Sequence, residues 1–196
     1  MTRAGAIGAV LARLGDELVV AANGFLSREA FGAADRAESF YMIGSMGLAA
    51  SIGLGVALAR PERRVVVLDG DGNLLMGLGA LPMVAERAPA RFLHVVLDNQ
   101  AYASTGGQRA ITDTVDLAAM ARGAGYPHVR RVDAEADLSA ALDDLLAAEG
   151  PAFLLVKVDA MDSAPPAPRV SHPPGQIANR FRAALGVEPA LAPASA

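Results

Sequence analysis

The chain has no cysteine, no tryptophan and only one lysine, Lys157. The absence of cysteine excludes disulfide bonds and thiolate-based metal sites. The single lysine lies in the sequence LLVKVD, so the chain has no P-loop of the GxxxxGK[ST] type for binding nucleotide phosphates. A formal net charge of −4 also disfavours nucleic acid as a ligand, because nucleic acid selects basic surfaces.

The sequence also offers no convincing targeting or membrane-spanning segment. Met1–Gly15 has no continuous apolar run, and the uncharged run Met42–Ala59 consists largely of Gly, Ala and Ser, which favours a tightly packed buried helix. The 196 residues, 53% of them hydrophobic, suffice for one domain with a substantial core. We therefore expect a cytoplasmic protein with a single domain over residues 1–186, a C-terminal helix at about 175–185 and a flexible tail over 187–196.

Predicted strands and helices alternate along the chain. Arg64–Asp69 and Arg91–Asp98 are almost wholly apolar, which is typical of parallel strands buried on both faces. The segment Asn73–Ala88 between them is predicted to form a helix, and Ser27–Ala33 a shorter one with Ser27 as its cap. Repeated β-α-β units imply a three-layer α/β/α fold with a central, mostly parallel sheet. Ligands of such sheets bind beyond the carboxyl ends of the strands.

The first of the two apolar strands is followed by Gly70-Asp71-Gly72-Asn73. Its glycines allow backbone amides to approach a ligand, and the helix N-terminus that follows favours an anion. The dinucleotide fingerprint GxGxxG does not match, because the later glycines are Gly77 and Gly79. A carboxylate beside a bound phosphate needs an intervening divalent cation, and Mg²⁺ bridges protein oxygens and phosphates in this way. Asp71 is therefore a candidate Mg²⁺ ligand.

The second apolar strand ends in Asp98-Asn99-Gln100-Ala101-Tyr102. Because neighbouring parallel strands end at the same edge of a sheet, we expect Asn99 to lie close to Asp71. A carboxylate, an amide oxygen and a backbone carbonyl suit Mg²⁺ or Ca²⁺ rather than a soft metal. The structural alternative is that Gly70–Asn73 forms an ordinary tight turn and Asp98-Asn99 caps a helix. Two such segments, each following an apolar strand, favour the metal site.

The pattern Gly70-Asp71-Gly72, then 25 residues, then Asp98-Asn99 resembles the GDG…NN signature of thiamine diphosphate (ThDP) enzymes. The resemblance implies that Asp71, Asn99 and the main-chain carbonyl of Ala101 hold Mg²⁺. Asp98 replaces the first asparagine of the signature, which leaves the implied metal ligands unchanged. The implied fold is the diphosphate-binding (PP) domain of these enzymes, and the resemblance covers about residues 17–158.

A second segment, Gly44-Ser45-Met46-Gly47, resembles the one that receives the aminopyrimidine ring in these enzymes. There a bulky apolar side chain, Met46 in this chain, holds the cofactor in a bent conformation that places the 4′-imino nitrogen beside the C2 proton. The strand end Asn23-Gly24-Phe25, with Ser27, resembles a diphosphate contact. The cofactor-binding residues that the resemblance implies are Gly24, Ser27, Gly44, Ser45, Met46, Gly70, Asp71, Gly72, Asn73, Asn99, Ala101 and Tyr102.

The segments FYMIGSMGLAASIGLGVALA, DGDGNLLM and LDNQAYASTGGQ are most similar to sulfopyruvate decarboxylase β subunits and to the matching half of phosphonopyruvate decarboxylases. This resemblance implies a ThDP- and Mg²⁺-dependent, non-oxidative decarboxylation of a 2-oxo acid to an aldehyde and CO₂. A 3-sulfo- or 3-phosphonopyruvate substrate needs a cationic or amide-rich site for its extra charge. The candidates after the metal site are Ser104, Thr105, Gln108 and Arg109, with Arg28 behind them.

The glutamate that activates the pyrimidine in ThDP enzymes belongs to a separate pyrimidine-binding (PYR) domain, and no glutamate here stands in a similar context. A second α/β domain would need about 150 further residues. The resemblance therefore implies a β subunit in a hetero-oligomer whose α subunit supplies the PYR domain and the glutamate. Two alternatives stay open: a subunit of another ThDP enzyme, such as an acetolactate-synthase-like carboligase or an oxidoreductase, and a non-catalytic module that binds ThDP or a nucleotide.

Overall fold

The computed structural model describes residues 1–160 and 167–187. Its strands are β1 (Leu18–Ala21), β2 (Ser39–Tyr41), β3 (Val65–Gly70), β4 (Arg91–Asp98), β5 (Ala101–Tyr102), β6 (Gln108–Arg109), β7 (His128–Val132) and β8 (Gly150–Lys157). Its helices are α1 (Arg3–Leu11), α2 (Phe25–Ala33), α3 (Ala49–Ala59), α4 (Asp71–Met76), α5 (Ala80–Arg87), α6 (Leu117–Ala124), α7 (Glu135–Ala147) and α8 (Pro174–Ala184).

Six strands form one sheet in the order β2-β1-β3-β4-β8-β7, and every neighbouring pair is parallel. The interior strands β3, β4 and β8 are buried along almost their whole length, which explains their unbroken apolar sequences. Helix α1 contacts α2 and α7, whereas α5 contacts α3 and α6, so the helices form one group on each face. The predicted three-layer α/β/α fold with a parallel sheet is confirmed.

Helix α3 accounts for the long uncharged segment. A side chain at Gly53 would overlap Val67 of β3, so only glycine lets the helix lie directly on the sheet. The small residues of this segment therefore serve close packing, as the sequence predicts. Within residues 1–160 and 167–187, no helix is both long enough and apolar enough to cross a membrane.

The single helix predicted over Asn73–Ala88 is wrong, because the structure divides it into α4 and α5. The division falls at Gly77–Gly79, where the chain passes against the backbone of Gly47. A Cβ atom on Gly77 would overlap the carbonyl oxygen of Gly47. This contact requires a glycine and brings the start of α4 against the Met46 segment.

The predicted cap at Ser27 is also wrong. Helix α2 begins at Phe25 after Gly24, whose φ of +86° favours glycine, and Ser27 lies inside the helix. The buried Ser27 hydroxyl lies 2.7 Å from the carbonyl oxygens of both Ala22 and Met42. It therefore ties the start of α2 to the ends of β1 and β2.

Helix α8 lies close to the C-terminal helix predicted at 175–185. It packs against β2, where the ring of Phe181 lies 5.5 Å from that of Phe40. Of the predicted flexible tail over 187–196, every residue except Val187 lies outside the residues that the structure describes. The single-domain organisation over 1–186 stays a prediction.

Candidate functional site

The carboxyl ends of β3 and β4 lie side by side, because Gly70 is paired with Leu97 in the sheet. Asp71 follows at the first position of α4 and is only 4% exposed. The Thr112 side chain joins the two strand ends: its hydroxyl lies 3.1 Å from Oδ2 of Asp71 and 2.8 Å from Oδ1 of Asp98. Asp71 and the end of β4 are therefore brought together as the sequence predicts.

The Asp71 carboxyl group is costly to ionise in the protein alone. Burial, together with the neighbouring Asp98 carboxylate, raises the pKa of Asp71 from 3.8 to about 6. A bound cation would favour the ionised form and remove this cost. The environment of Asp71 therefore fits a metal ligand better than a simple turn residue.

Asp98, the departure from the asparagine pair, has its own counter-ion. Nζ of Lys157 lies 2.6 Å from Oδ2 of Asp98, and the two residues are paired across β4 and β8. Asp98 is 1% exposed, and its Oδ1 also accepts a hydrogen bond from the amide of Gln100. The only lysine of the chain thus balances the charge that the substitution introduces.

Asn99 and Ala101, the other two predicted metal ligands, lie just beyond the end of β4. The Asn99 side-chain amide donates to the Ala160 carbonyl at 3.3 Å, while its Oδ1 receives only a long contact of 3.4 Å from the Ala101 amide. Gln100 between them has a φ of 58°, a conformation uncommon outside glycine that is typical of functional turns. No cluster of three or more His, Cys, Asp or Glu side chains suitable for a metal occurs in the described residues. Carboxylate, amide and carbonyl oxygens suit a hard cation such as Mg²⁺.

These strand ends border an open cleft of about 520 Å³. The Tyr102 ring lies directly against Gly72, where a Cβ atom would overlap it. The predicted site residues that line this cleft are Met46, Gly70, Asp71, Gly72, Asn73, Asn99, Ala101, Tyr102 and Ser104.

The other predicted residues lie elsewhere. Gly44 and Ser45 line an apolar cavity beside α8, and Gly24 and Ser27 line a third cavity that adjoins the cleft.

The segment that contains the four predicted substrate ligands forms a small hairpin of β5 and β6, which sequence patterning did not predict. The Thr105 hydroxyl and the Gln108 side chain bond to each other at 2.9 Å. The exposed Arg109 makes two hydrogen bonds of 2.6 Å to Asp113. Only Ser104 of the four reaches the cleft. Their role in substrate binding stays a prediction.

A buried hydrogen-bond chain supports the Met46 turn. Asn73 accepts a hydrogen bond of 2.7 Å from the Gly47 amide through Oδ1 and donates through Nδ2 to Asp69. Nε2 of His94 lies 3.0 Å from the second oxygen of Asp69. All three side chains are buried. The sequence indicates His94 only as a core histidine, because its contact with Asp69 depends on how β3 and β4 pair, which the sequence of one strand does not reveal.

Arg3 is a cleft residue that sequence reasoning missed. Its guanidinium pairs with Glu29 at 2.5 Å and lies 5.3 Å from the centre of the Phe25 ring. In the sequence Arg3 belongs to an amphipathic N-terminal helix, and nothing in that pattern indicates that α1 reaches the edge of the site.

Fold and site define a class of protein: a parallel α/β domain that presents a buried carboxyl group, Asp71, and a glycine-rich turn at the carboxyl edge of its sheet. Residues 30–156 match the family described as thiamine pyrophosphate enzyme, C-terminal TPP binding domain. The chain belongs to this family. The donor set at Asp71 and the close approach of Tyr102 to Gly72 fit a diphosphate held through a divalent cation.

Two curated relatives are decarboxylases by name. The chain is 45% identical to phosphonopyruvate decarboxylase of Streptomyces viridochromogenes over 192 residues, which cover 96% of this chain and 47% of that protein. It is 46% identical to sulfopyruvate decarboxylase subunit beta of Methanothermobacter thermautotrophicus over 158 residues, covering 81% of this chain and 82% of that subunit. The chain thus spans about half the length of the first and most of the second.

A solved structure has the same fold. Benzoylformate decarboxylase from Polynucleobacter necessarius matches with a TM-score of 0.68 at 15% identity, covering 82% of this chain and 34% of that one. At this identity, the likeness supports the fold alone.

Proposed function

We propose that this chain is the β subunit of a ThDP- and Mg²⁺-dependent decarboxylase that acts on a 3-sulfo- or 3-phosphonopyruvate-like acid. The observation that carries the proposal is that Asp71 and Asn99, which follow two neighbouring strands, line the same cleft as Met46. The identities of 45% and 46% to decarboxylases for these two substrates support the reaction class. A cytoplasmic location is part of the same proposal.

The residues of this chain have distinct roles in the proposed reaction. Asp71, Asn99 and the Ala101 carbonyl would hold Mg²⁺ and, through it, the diphosphate. Met46 would support the bent cofactor, and the bond from Gly47 to Asn73 fixes the turn that presents Met46. Bound ThDP supplies the electron sink for decarboxylation, while the protein supplies binding and orientation.

The proposed partner is an α subunit with the PYR domain. No glutamate lines the cleft in the described part of the chain, and Glu29 is engaged by Arg3. Large apolar side chains are exposed around the Met46 turn: Ile43 is 67% exposed and Met76 69%. Met76 lies beside the Met46 turn, because a Cβ atom on Gly47 would lie 3.3 Å from the Cβ atom of Met76. Exposed apolar surface of this kind is typical of protein interfaces.

The cofactor site is tested by calorimetry with ThDP and Mg²⁺ on the α/β complex. Asp71→Ala should lose Mg²⁺-dependent ThDP binding, because the substitution removes a ligand. Asp137→Ala, which removes an exposed carboxylate of α7, is the matched control and should bind normally. Unchanged binding by Asp71→Ala would contradict the assignment.

The reaction is tested with sulfopyruvate, phosphonopyruvate, pyruvate and benzoylformate. We expect CO₂ release from one of the first two acids by the complex, and none by this chain alone. Turnover by the chain alone would contradict the shared active site. A carboligation product would instead favour an acetolactate-synthase-like subunit, and ThDP binding without turnover would favour a non-catalytic module.

A further inference from the structure

The third cavity, which Gly24 and Ser27 line, adjoins the cofactor cleft, and Asn23 lines both. It is open to solvent and lies between the start of α2 and the segment that leads into α8. At Gly24 it approaches the hairpin, where a Cβ atom would lie 3.7 Å from Oγ of Ser104. A small molecule that reacts in the cleft could therefore extend a substituent into this cavity.

The cavity is cationic, although the chain carries a net charge of −4. Arg28, Arg169 and His172 line it, and no acidic side chain of the described residues does. Within residues 1–160 and 167–187, neither arginine has a carboxylate partner. The Arg28 guanidinium instead lies 5.3 Å from the centre of the Phe25 ring. A cavity with two such arginines suits an anion with several oxygens, which arginine binds through paired hydrogen bonds.

The segment that carries Arg169 is anchored at His172. Nε2 of His172 lies 3.0 Å from Asp35, and its ring packs edge-on against Phe31 at 5.2 Å. Asp35 also accepts a hydrogen bond of 3.0 Å from Arg180 of α8. These contacts anchor the segment without involving Arg169.

The wall residue Asn23 supports a ligand at this junction. Its Oδ1 is fully buried and has no hydrogen-bond partner in the described structure. Buried polar atoms nearly always have a partner, so an isolated one indicates a missing water or ligand group. Arg109, the arginine that the sequence favours, is by contrast already paired with Asp113.

We propose that Arg28 and Arg169 bind the distal sulfonate or phosphonate of the substrate, with His172 as a positioning residue. The inference rests on the proposed decarboxylase function and adds to it the residues that select a second anionic group. In this arrangement the 2-oxo acid portion of the substrate lies toward Asn23 and the cleft. The distal anion of the substrate lies between α2 and the segment before α8.

The first test compares KM on the α/β complex for phosphonopyruvate and sulfopyruvate with KM for pyruvate, which lacks the distal anion. For whichever of the two acids the wild-type complex decarboxylates faster, Arg28→Gln and Arg169→Gln should each raise KM by about 10- to 100-fold. Neither variant should change kcat/KM for pyruvate. Arg87→Gln, on the exposed end of α5, is the control. Equal losses of kcat/KM on the anionic acids and on pyruvate would overturn the proposal. It would also be overturned if Arg109→Gln, and neither of the other two variants, lost kcat/KM selectively on the anionic acids.

The second test does not depend on turnover. Phosphonoacetate and sulfoacetate are titrated into the complex by calorimetry, with acetate as the singly charged comparison. Binding of either dianion that weakens at least tenfold in both arginine variants, with normal thermal unfolding, would support the anion site even if no 2-oxo acid is decarboxylated. Equal binding by wild type and variants would overturn it even in an active decarboxylase.

Discussion

The side-chain oxygen of Asn73 accepts a hydrogen bond of 2.7 Å from the backbone amide of Gly47. This bond joins two segments that are 26 residues apart in the chain, the turn after β3 and the turn that carries Met46. Ser45 in the second turn has a φ of 60°, which is uncommon for a residue with a side chain. The bond to Asn73 therefore helps to hold a strained turn in the conformation that presents Met46.

We expect Asn73→Ala to weaken ThDP binding by about tenfold or more without unfolding the protein. The substitution leaves the buried Gly47 amide without an acceptor, which costs about 1–3 kcal/mol. Calorimetric titration of the α/β complex with ThDP at fixed Mg²⁺ measures the loss. Asn179→Ala, which changes an exposed asparagine of α8, should bind normally. Equal affinities for the two variants would show that the turn does not depend on Asn73.

His94 is expected to stabilise the same network from inside the sheet. Replacing it with phenylalanine keeps a ring but removes the partner of Asp69, so we expect the free energy of unfolding to fall by about 1–3 kcal/mol. His94→Gln keeps a hydrogen-bonding group and should lose less. Urea denaturation measures both variants. If the glutamine variant is no more stable than the phenylalanine variant, the loss in the free energy of unfolding comes from packing and not from the hydrogen bond to Asp69.

Much of the fold is readable from the sequence, because β3, β4 and β8 are apolar on both faces and regularly spaced by helices. The break between α4 and α5 is not, since it depends on contact between Gly77 and Gly47, which are distant in the chain. The two glycines between Met76 and Ala80, Gly77 and Gly79, are only a weak local signal for such a break, since no proline accompanies them.

The positions of Asp71 and Asn99 at one edge of the sheet were predictable, because each directly follows a strand. Thr112, Lys157 and Arg3 were not, since each reaches the site from a separate element whose local sequence has no motif. Arg109 shows that a residue close to the site in sequence need not face the site in the structure. It follows the metal site closely in the chain, yet the hairpin turns it toward Asp113.

Lys157 and Asp98 should behave as one unit. Lys157→Met leaves a buried carboxylate without its counter-ion, and we expect a loss of about 3 kcal/mol in the free energy of unfolding. The double variant Asp98→Asn with Lys157→Met removes both charges and should recover most of that loss. Urea denaturation of the wild type, both single variants and the double variant gives the coupling energy. Additive losses would contradict the charge-balance interpretation.

Asp71→Asn should stabilise the protein in the absence of ligands while abolishing Mg²⁺-dependent ThDP binding. The pKa of Asp71 is raised from 3.8 to about 6, so the folded state disfavours ionisation. The resulting destabilisation is absent below pH 3.8, grows as the pH rises to about 6 and is constant above that. At pH 7.5 the destabilisation by the ionised Asp71 carboxyl group is at most about 3 kcal/mol, because each pKa unit corresponds to about 1.36 kcal/mol.

Thermal unfolding of wild type and Asp71→Asn in EDTA, measured at pH 4.5 and pH 7.5, tests this expectation. The advantage of the variant should be largest at pH 7.5 and about a third as large at pH 4.5, because only part of the pH range between 3.8 and about 6 has then been crossed. Mg²⁺ and ThDP should reverse the order at pH 7.5, since only the wild type gains binding energy. A variant less stable than the wild type in EDTA would mean that the Thr112 and Gly72 hydrogen bonds to Asp71 outweigh the cost of its burial.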